Sequence, residues 1–174
     1  MKKIIALALA LVMVFALCAC GSSSAPAASD ASASSSAASD ASSSDEKVVK
    51  IGVFEPTSGD SASGGKKEVL GMQYANKETP TVDINGETYK VELVLADNGS
   101  STDKAPSAAS ELVSKGVSVV LGSYGSGVSI AGGPKFEEAG LAAIGVTCTN
   151  PNVTAGNDYY FRICFLDDFQ ANVL

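Results

Sequence analysis

The stretch from Val117 to Ala131 reads V-S-V-V-L-G-S-Y-G-S-G-V-S-I-A and leaves the backbone few options. Val117, Val119, Val120 and Leu121 form a short apolar run of the kind that makes a strand buried on both faces. Gly122 to Gly127 is small and polar and reads as a turn. Val128, Ala131, Lys135 (through its stem) and Phe136 then recur at helical spacing. A strand that enters a helix through small residues aims backbone N–H groups, and here serine hydroxyls, out of a helix N-terminus. That end carries partial positive charge and suits a carboxylate or a phosphate. The pattern predicts one wall of a ligand cleft. Taken alone, the turn fits equally well a plain βα connection that uses glycine only for backbone freedom.

The flanking sequence repeats the same strand–turn–helix grammar. Lys47 to Val53 reads as a first strand, followed by a loop through Ser58-Gly59 to Gly64-Gly65. A helix is predicted from about Lys66 to Lys77, with Val69, Met72, Gln73 and Asn76 on one side and Leu70, Tyr74 and Ala75 widening its apolar band; Thr79-Pro80 stops it. Asn85-Gly86, between V-D-I and E-T-Y, predicts a hairpin whose second arm runs to Ala96 before Asp97-Asn98. Ser100 to Asp103 supplies capping residues for a helix whose face is Ala105, Ala108, Ala109, Leu112 and Val113, closed by Lys115-Gly116. After the central stretch, Glu138 to Gly140 ends a helix and Leu141 to Ile144 is a short strand. A long loop over Gly145 to Gly156 leads to a last strand, Tyr159 to Ile163, and Asp167 is placed to cap a helix. Strands alternating with helices predict an α/β fold, a doubly wound and mostly parallel sheet. In such sheets ligands bind beyond the carboxyl ends of the strands. Ser58-Gly59, Asp97-Asn98, the Gly122–Gly127 turn and Thr147–Asn150 all follow strands and are expected to gather at that edge.

Chemistry is narrowed by what the composition lacks. The chain contains no His, which removes His-based catalysis, His metal sites and a Ser–His triad. No catalytic residue, metal or cofactor is expected, and the protein is read as not an enzyme. The turn reads G-x-x-G-x-G, without the Gly-Lys-Ser/Thr ending of a phosphate-binding P-loop, which argues against a nucleotide-type enzyme domain. The net charge is −7, and an acidic chain with no basic cluster argues against nucleic acid as a partner.

Met1-Lys2-Lys3 and the apolar run Ile4 to Leu17 have the shape of an export leader, too short to span a bilayer as a mature helix. Leu17-Cys18-Ala19-Cys20-Gly21 resembles a bacterial lipobox, an apolar residue and two small ones before a Cys. The resemblance implies a leader over residues 1–19 and lipidation of Cys20, hence tethering to the outer face of a membrane without crossing it. Residues 20–46 are nearly all Ser, Ala and Asp and are expected to be a disordered leash with an r.m.s. reach of roughly 28 Å. The folded part is then 47–174. Export would permit a disulfide between Cys148 and Cys164, and two small buried thiols are the expected state.

Four segments in order carry a wider resemblance: I-G-V-F-E-P-T-S-G, V-V-L-G-S-Y-G-S-G-V-S-I-A, G-V-T-C-T-N-P-N-V-T and Y-Y-F-R-I-C-F-L-D-D-F-Q. Together they resemble the first lobe of the leucine/isoleucine/valine-binding type of periplasmic solute-binding protein, the receptor component of ABC importers. The resemblance implies an amino-acid ligand of branched-chain type, or a similar small zwitterion, held between two lobes, with ABC permease subunits as partners. It places Ser126 at the ligand carboxylate and Cys148 where the family offers mainly a backbone carbonyl. Thr149 falls near the ligand's α-carbon groups and Asp167 opposite its α-ammonium. Helix capping accounts separately for Ser126 and Asp167, and a turn before Asn-Pro for Thr149. Family members often carry an aromatic residue just before the second glycine of the first loop, where this chain has Gly64. The chain has about half the family's length, so by itself it is expected to bind weakly or not at all. An extracellular ligand-sensing domain of the same fold shares all these features.

Overall fold

A computed structural model of the chain describes residues 46–173. The segments expected to form a leader (1–19), a lipidation site (Cys20) and all but the last residue of a leash (20–46) lie outside the described residues. The elements follow in the order β1 (Val48–Glu55), α1 (Ala62–Glu78), β2 (Thr81–Ile84), β3 (Glu87–Asp97), α2 (Ala105–Ser114), β4 (Val119–Leu121), α3 (Ser126–Glu138), β5 (Ala143–Gly145), a 3-10 turn (Pro151–Val153), β6 (Tyr160–Arg162) and α4 (Asp167–Val173).

The six strands form one sheet in the order β2-β3-β1-β4-β5-β6. Every pairing is parallel except the β2–β3 hairpin, where Val82 faces Tyr89 and Asn85 and Gly86 turn the chain with positive φ. The connection through α1 places β3 on one side of β1. The connection through α2 then carries the chain across to place β4 on the other side. This reversal makes the crevice between the carboxyl ends of β1 and β4 the topological switch point, the position where open α/β sheets bind ligands.

Alternation along the strands decides which helix covers which face. Phe54, Ala96, Val120 and Ala143 point to the side of α2 and α3, where they build the core with Ala105, Ala108, Ala109, Leu112, Val128 and Phe136. Phe54 and Phe136 meet edge to face with ring centroids 5.4 Å apart, and each is fully buried. Burying each ring contributes about 1.5–3 kcal/mol, with a further ~0.5–1.5 for the pair geometry. Ile51, Val91, Leu93, Leu121 and Ile144 point the other way, toward Met72 and Ala75 of α1. That side holds an open apolar groove of about 620 Å³. Its lining is mostly hydrocarbon, with Glu68 the one charged side chain.

Several boundaries differ from expectation. α1 starts at Ala62 instead of Lys66, running through Gly64 and Gly65 despite their poor helix propensity. Tight packing explains it: Gly65 is buried against Pro56, where a β-carbon would have no room. Leu70 and Tyr74 of α1 remain 65% and 64% exposed, so the apolar band read around that helix is only partly used. Residues Ser100–Asp103 do not cap α2; its N-cap position is Lys104, with no side-chain cap bond. The Ser100 hydroxyl is committed elsewhere, donating to the Ser58 carbonyl (3.0 Å) and accepting from the Ser61 N–H (2.9 Å). In α3 the buried positions are Val128, Ser129, Gly132, Gly133 and Phe136, so small residues for close approach replace the Lys135 stem in the packed face. β5 and β6 are each shorter than read, Ala143–Gly145 and Tyr160–Arg162.

Candidate functional site

The loops that follow β1, β3, β4 and β5 are cross-linked to one another at the carboxyl edge of the sheet. Asp97, the last residue of β3, takes the N–H groups of Thr57 (2.8 Å), Ser58 (3.2 Å) and Gly99 (2.9 Å) and the Ser58 hydroxyl (2.6 Å). Partial burial pushes its carboxyl up, but the hydrogen bonds from Ser58, Gly99 and Thr57 outweigh this and hold it down at about 2. Asn98 is fully buried and braces three segments: its Nδ2 donates to the Phe54 carbonyl (3.4 Å) and the Ser123 hydroxyl (3.0 Å), and its Oδ1 accepts from the Ser100 N–H (3.2 Å).

The β4–α3 turn is held from below. Gly122 has φ 123°, and a β-carbon there would overlap the Phe54 carbonyl, so only glycine fits. Its own carbonyl accepts from the buried Tyr160 hydroxyl at 2.8 Å. The Tyr124 N–H donates to Glu55 Oε2 at 2.8 Å. The Tyr124 side chain, 43% exposed, lies with its ring directly over Gly64, where any β-carbon would collide with it. The position lacking an aromatic residue in the first loop is thus covered by an aromatic residue from the turn.

Ser126 is the first residue of α3, not its N-cap; Gly125 holds that position. The Ser126 hydroxyl accepts from the Asn150 N–H at 3.3 Å, joining the turn to the β5–β6 loop. In that loop Cys148 is fully buried and its thiol belongs to the core, with burial pushing its pKa up. One lone pair of its carbonyl is used by Arg162 Nη1 (3.1 Å), while Arg162 Nη2 binds Pro151 O (3.2 Å) and Thr154 Oγ1 (2.9 Å). Thr149 is half-buried, and its carbonyl accepts from the Asp167 N–H at 3.0 Å. Asp167 is exposed in the first turn of α4. The four residues singled out from sequence therefore come to one rim, linked by the Ser126–Asn150 and Thr149–Asp167 bonds. Cys148 and Cys164 are both free thiols, as expected, but only Cys148 is buried; Cys164 is half-buried just beyond the end of β6.

Beneath this rim sits a pair of acids that sequence reading passed over. Glu55, at the end of β1, is fully buried. Burial first, then hydrogen bonding and like-charge repulsion from Glu68 of α1, push its carboxyl up to about 9. Glu68 Oε1 in turn accepts from the Thr147 hydroxyl at 2.5 Å. A signal was present: Glu55 follows Ile51 and Val53 at the period of a buried strand face, immediately before a proline. Among the described residues no group of three or more potential metal ligands occurs, and no helix is long and apolar enough to cross a membrane.

Comparison with known proteins follows the same lines. An amino acid binding protein of Pseudomonas aeruginosa is 36% identical over 128 residues, which is 72% of this chain and 34% of that protein. The crystal structure of the leucine binding protein LivK from Thermotoga maritima superposes with a TM-score of 0.66 at 35% identity, covering 72% of this chain and 35% of that one. LivJ from Streptococcus pneumoniae, solved in complex with isoleucine, gives 0.62 at 33% identity over 70% of this chain and 35% of its own. The chain spans about a third of the length of the relatives it matches, less than the half expected. The match corresponds to a single lobe of the type 1 periplasmic binding fold, and these homologues are exported solute-binding proteins, not enzymes. Residues 48–174 match the family described as periplasmic binding protein, and the chain belongs to that family.

Proposed function

We propose that this chain is the first lobe of an extracytoplasmic receptor that binds an amino acid of branched-chain type, or a similar small zwitterion, and hands it to an ABC permease. The carrying observation is the pair of tethers at the switch-point rim, Ser126 Oγ to Asn150 N and Thr149 O to Asp167 N. They support the reading by tying the first residue of α3, Ser126, and the first residue of α4, Asp167, to the same β5–β6 loop. Ser126 and the adjoining backbone N–H groups then take the ligand's carboxylate. Thr149 and the Cys148 main chain line its centre, and Asp167 meets its ammonium group. A single lobe offers contacts from one side only, so these residues alone bind weakly. The receptor is held at the outer face of the membrane by lipid on Cys20.

Titration calorimetry with leucine, isoleucine, valine and a panel of other amino acids, on protein isolated from its own cells, tests the ligand class. Saturable binding that is lost in Ser126→Ala and Asp167→Asn is the expected result; wild-type protein indifferent to every amino acid overturns it. Incorporation of labelled fatty acid, abolished by Cys20→Ala, tests the anchor.

A further inference from the structure

Two oxygens stand out in the hydrogen-bond accounting of the rim. Glu55 Oε1 and Glu68 Oε2 are both buried, and neither has a donor among the protein's N–H and O–H groups. The other oxygen of each carboxyl is occupied, Glu55 Oε2 by the Tyr124 N–H and Glu68 Oε1 by the Thr147 hydroxyl. The two carboxyls lie within hydrogen-bonding reach of each other. Glu55 Oε1 is walled in further by Gly122, whose missing β-carbon would sit 2.7 Å from it. Glu55 is fully buried and Glu68 half-buried, and two neighbouring carboxylates with no cation between them, one of them cut off from water, resist being ionised together. A proton placed between the orphaned oxygens satisfies both at once.

We propose that Glu55 and Glu68 share one proton, and that this acid pair is a positioning device fixing the β4–α3 turn and the β5–β6 loop at the spacing the solute site requires. The chain of bonds runs from the Thr147 O–H to Glu68, through the shared proton to Glu55, and on to the Tyr124 N–H. Thr147 lies two residues before Thr149, and Tyr124 two before Ser126. One proton therefore ties together the two segments to which the ligand's carboxylate and centre are assigned. The positioning half of this proposal rests on the solute-receptor reading above; the shared proton does not.

The surroundings contain no competing charge for the pair. Tyr160 of β6, whose hydroxyl donates to the Gly122 carbonyl, and Cys148 of the loop lie in the core on the α2–α3 side; burial raises the pKa of each, so both are neutral at pH 7. From the turn comes the Tyr124 backbone, and from β3 and the turn the uncharged Asn98 and Ser123. Arg162 is engaged by Cys148, Pro151 and Thr154. The ion pairs among the described residues, Lys47–Glu87, Lys90–Glu46, Lys115–Glu111 and Lys135–Glu138, involve neither acid. The pair holds its proton at neutral pH and releases it as the pH rises through about 9.

Carboxyl carbon NMR of the wild-type protein labelled at glutamate tests the shared proton without any variant. One glutamate signal that stays in the protonated range at pH 7, and titrates near pH 9, is expected. A folded protein whose glutamates are all ionised at pH 7 overturns the proposal. Glu55→Gln keeps a hydrogen in the same place but cannot release it, and its infrared spectrum is expected to lack the carbonyl band of a protonated acid. The positioning half is read from amino-acid affinity across the same pH range in wild type and Glu55→Gln. The wild-type affinity is expected to fall about tenfold further than the variant's as the pair ionises. Parallel pH profiles overturn the positioning role. Wild-type protein that binds no amino acid yet shows the protonated signal overturns the solute reading, and with it the positioning half, while the shared proton stands.

Discussion

Glu55 and Asp97 are register partners, the last paired residues of parallel strands β1 and β3, yet at neutral pH the first is protonated and the second ionised. Glu55 is sealed beneath the β4–α3 turn against a second acid, and its carboxyl is pushed up to about 9. Asp97 stands at the solvent side, where partial burial pushes it up but a ring of donors from Ser58, Gly99 and Thr57 together outweighs this and brings it down to about 2. Neighbouring carboxyls at one sheet edge are separated by burial, by hydrogen bonding and, for Glu55, by the like charge of Glu68.

These two shifts set limits on stability from both sides of the pH scale. For Asp97 the folded pKa is depressed, so its contribution is present above the usual carboxylate range and is lost as the pH falls toward 2. The group is exposed, so screening keeps that contribution below about 1 kcal/mol. For Glu55 the folded pKa is raised from 4.5 to about 9, so the folded state binds the proton more tightly than the unfolded chain. Its contribution is complete below about 4.5 and declines as the pH climbs through about 9. Thermal unfolding followed from acid to alkaline pH is expected to lose its alkaline decline in Glu55→Gln and to soften its acid decline in Asp97→Asn.

Tyr160→Phe removes one hydroxyl and little volume. The hydroxyl is buried and donates to the Gly122 carbonyl at 2.8 Å, at the base of the turn that carries Ser126. Without it that carbonyl loses the donor β6 provides. Denaturant unfolding is expected to show a loss of about 1–3 kcal/mol. A loss near zero would mean that the turn is held by Glu55 and Asn98 without help from β6.

Gly64 is a seat for an aromatic ring. Gly64→Ala puts a methyl group where the Tyr124 ring lies, and the ring is free to swing out because it is 43% exposed. The stability change is therefore expected to be small, about 1 kcal/mol or less. Tyrosine fluorescence is expected to change with it, and the change should vanish in a Tyr124→Ala background. Equal spectra for wild type and Gly64→Ala in the Tyr124 protein would count against the packing.

Much of this arrangement can be read from the chain before any coordinates, for identifiable reasons. The order of strands follows from short apolar runs, and the hairpin from Asn85-Gly86. The buried face of α2 matches Ala105, Ala108, Ala109 and Leu112 because one helical period dominates there. α3 is less legible: helical spacing picks out Val128 and Phe136, but the packed face between them is Ser129, Gly132 and Gly133, residues that carry no hydrophobic signal, the two glycines allowing close approach to Phe54 and Tyr160. Tertiary contact likewise overrides propensity at the start of α1. The acid pair was hidden because a glutamate at a strand's end ordinarily faces water, and Glu68 looks like any charge on an exposed helix. Nothing local marks two acids 13 positions apart as partners. Ser126 was legible as a small residue opening a helix, whereas its bond to Asn150 depends on the loop that β5 and β6 bring beside it.

That bond makes Ser126 the position where ligand and stability effects separate most cleanly. Its hydroxyl accepts a single long hydrogen bond, 3.3 Å from the Asn150 N–H, and Ser126 is only half-buried. Water replaces such a partner easily, so Ser126→Ala is expected to cost no more than about 1 kcal/mol in unfolding free energy. A charge-assisted bond to a carboxylate is worth more, about 1.5–3 kcal/mol. Calorimetry is therefore expected to show amino-acid affinity falling by about tenfold or more while the melting temperature barely moves. Ser126→Thr keeps the hydroxyl and is expected to recover most of the affinity. If Ser126→Ala instead lowers stability and leaves affinity intact, the hydroxyl is a brace between two loops, and the carboxylate is held by backbone N–H groups of the turn alone.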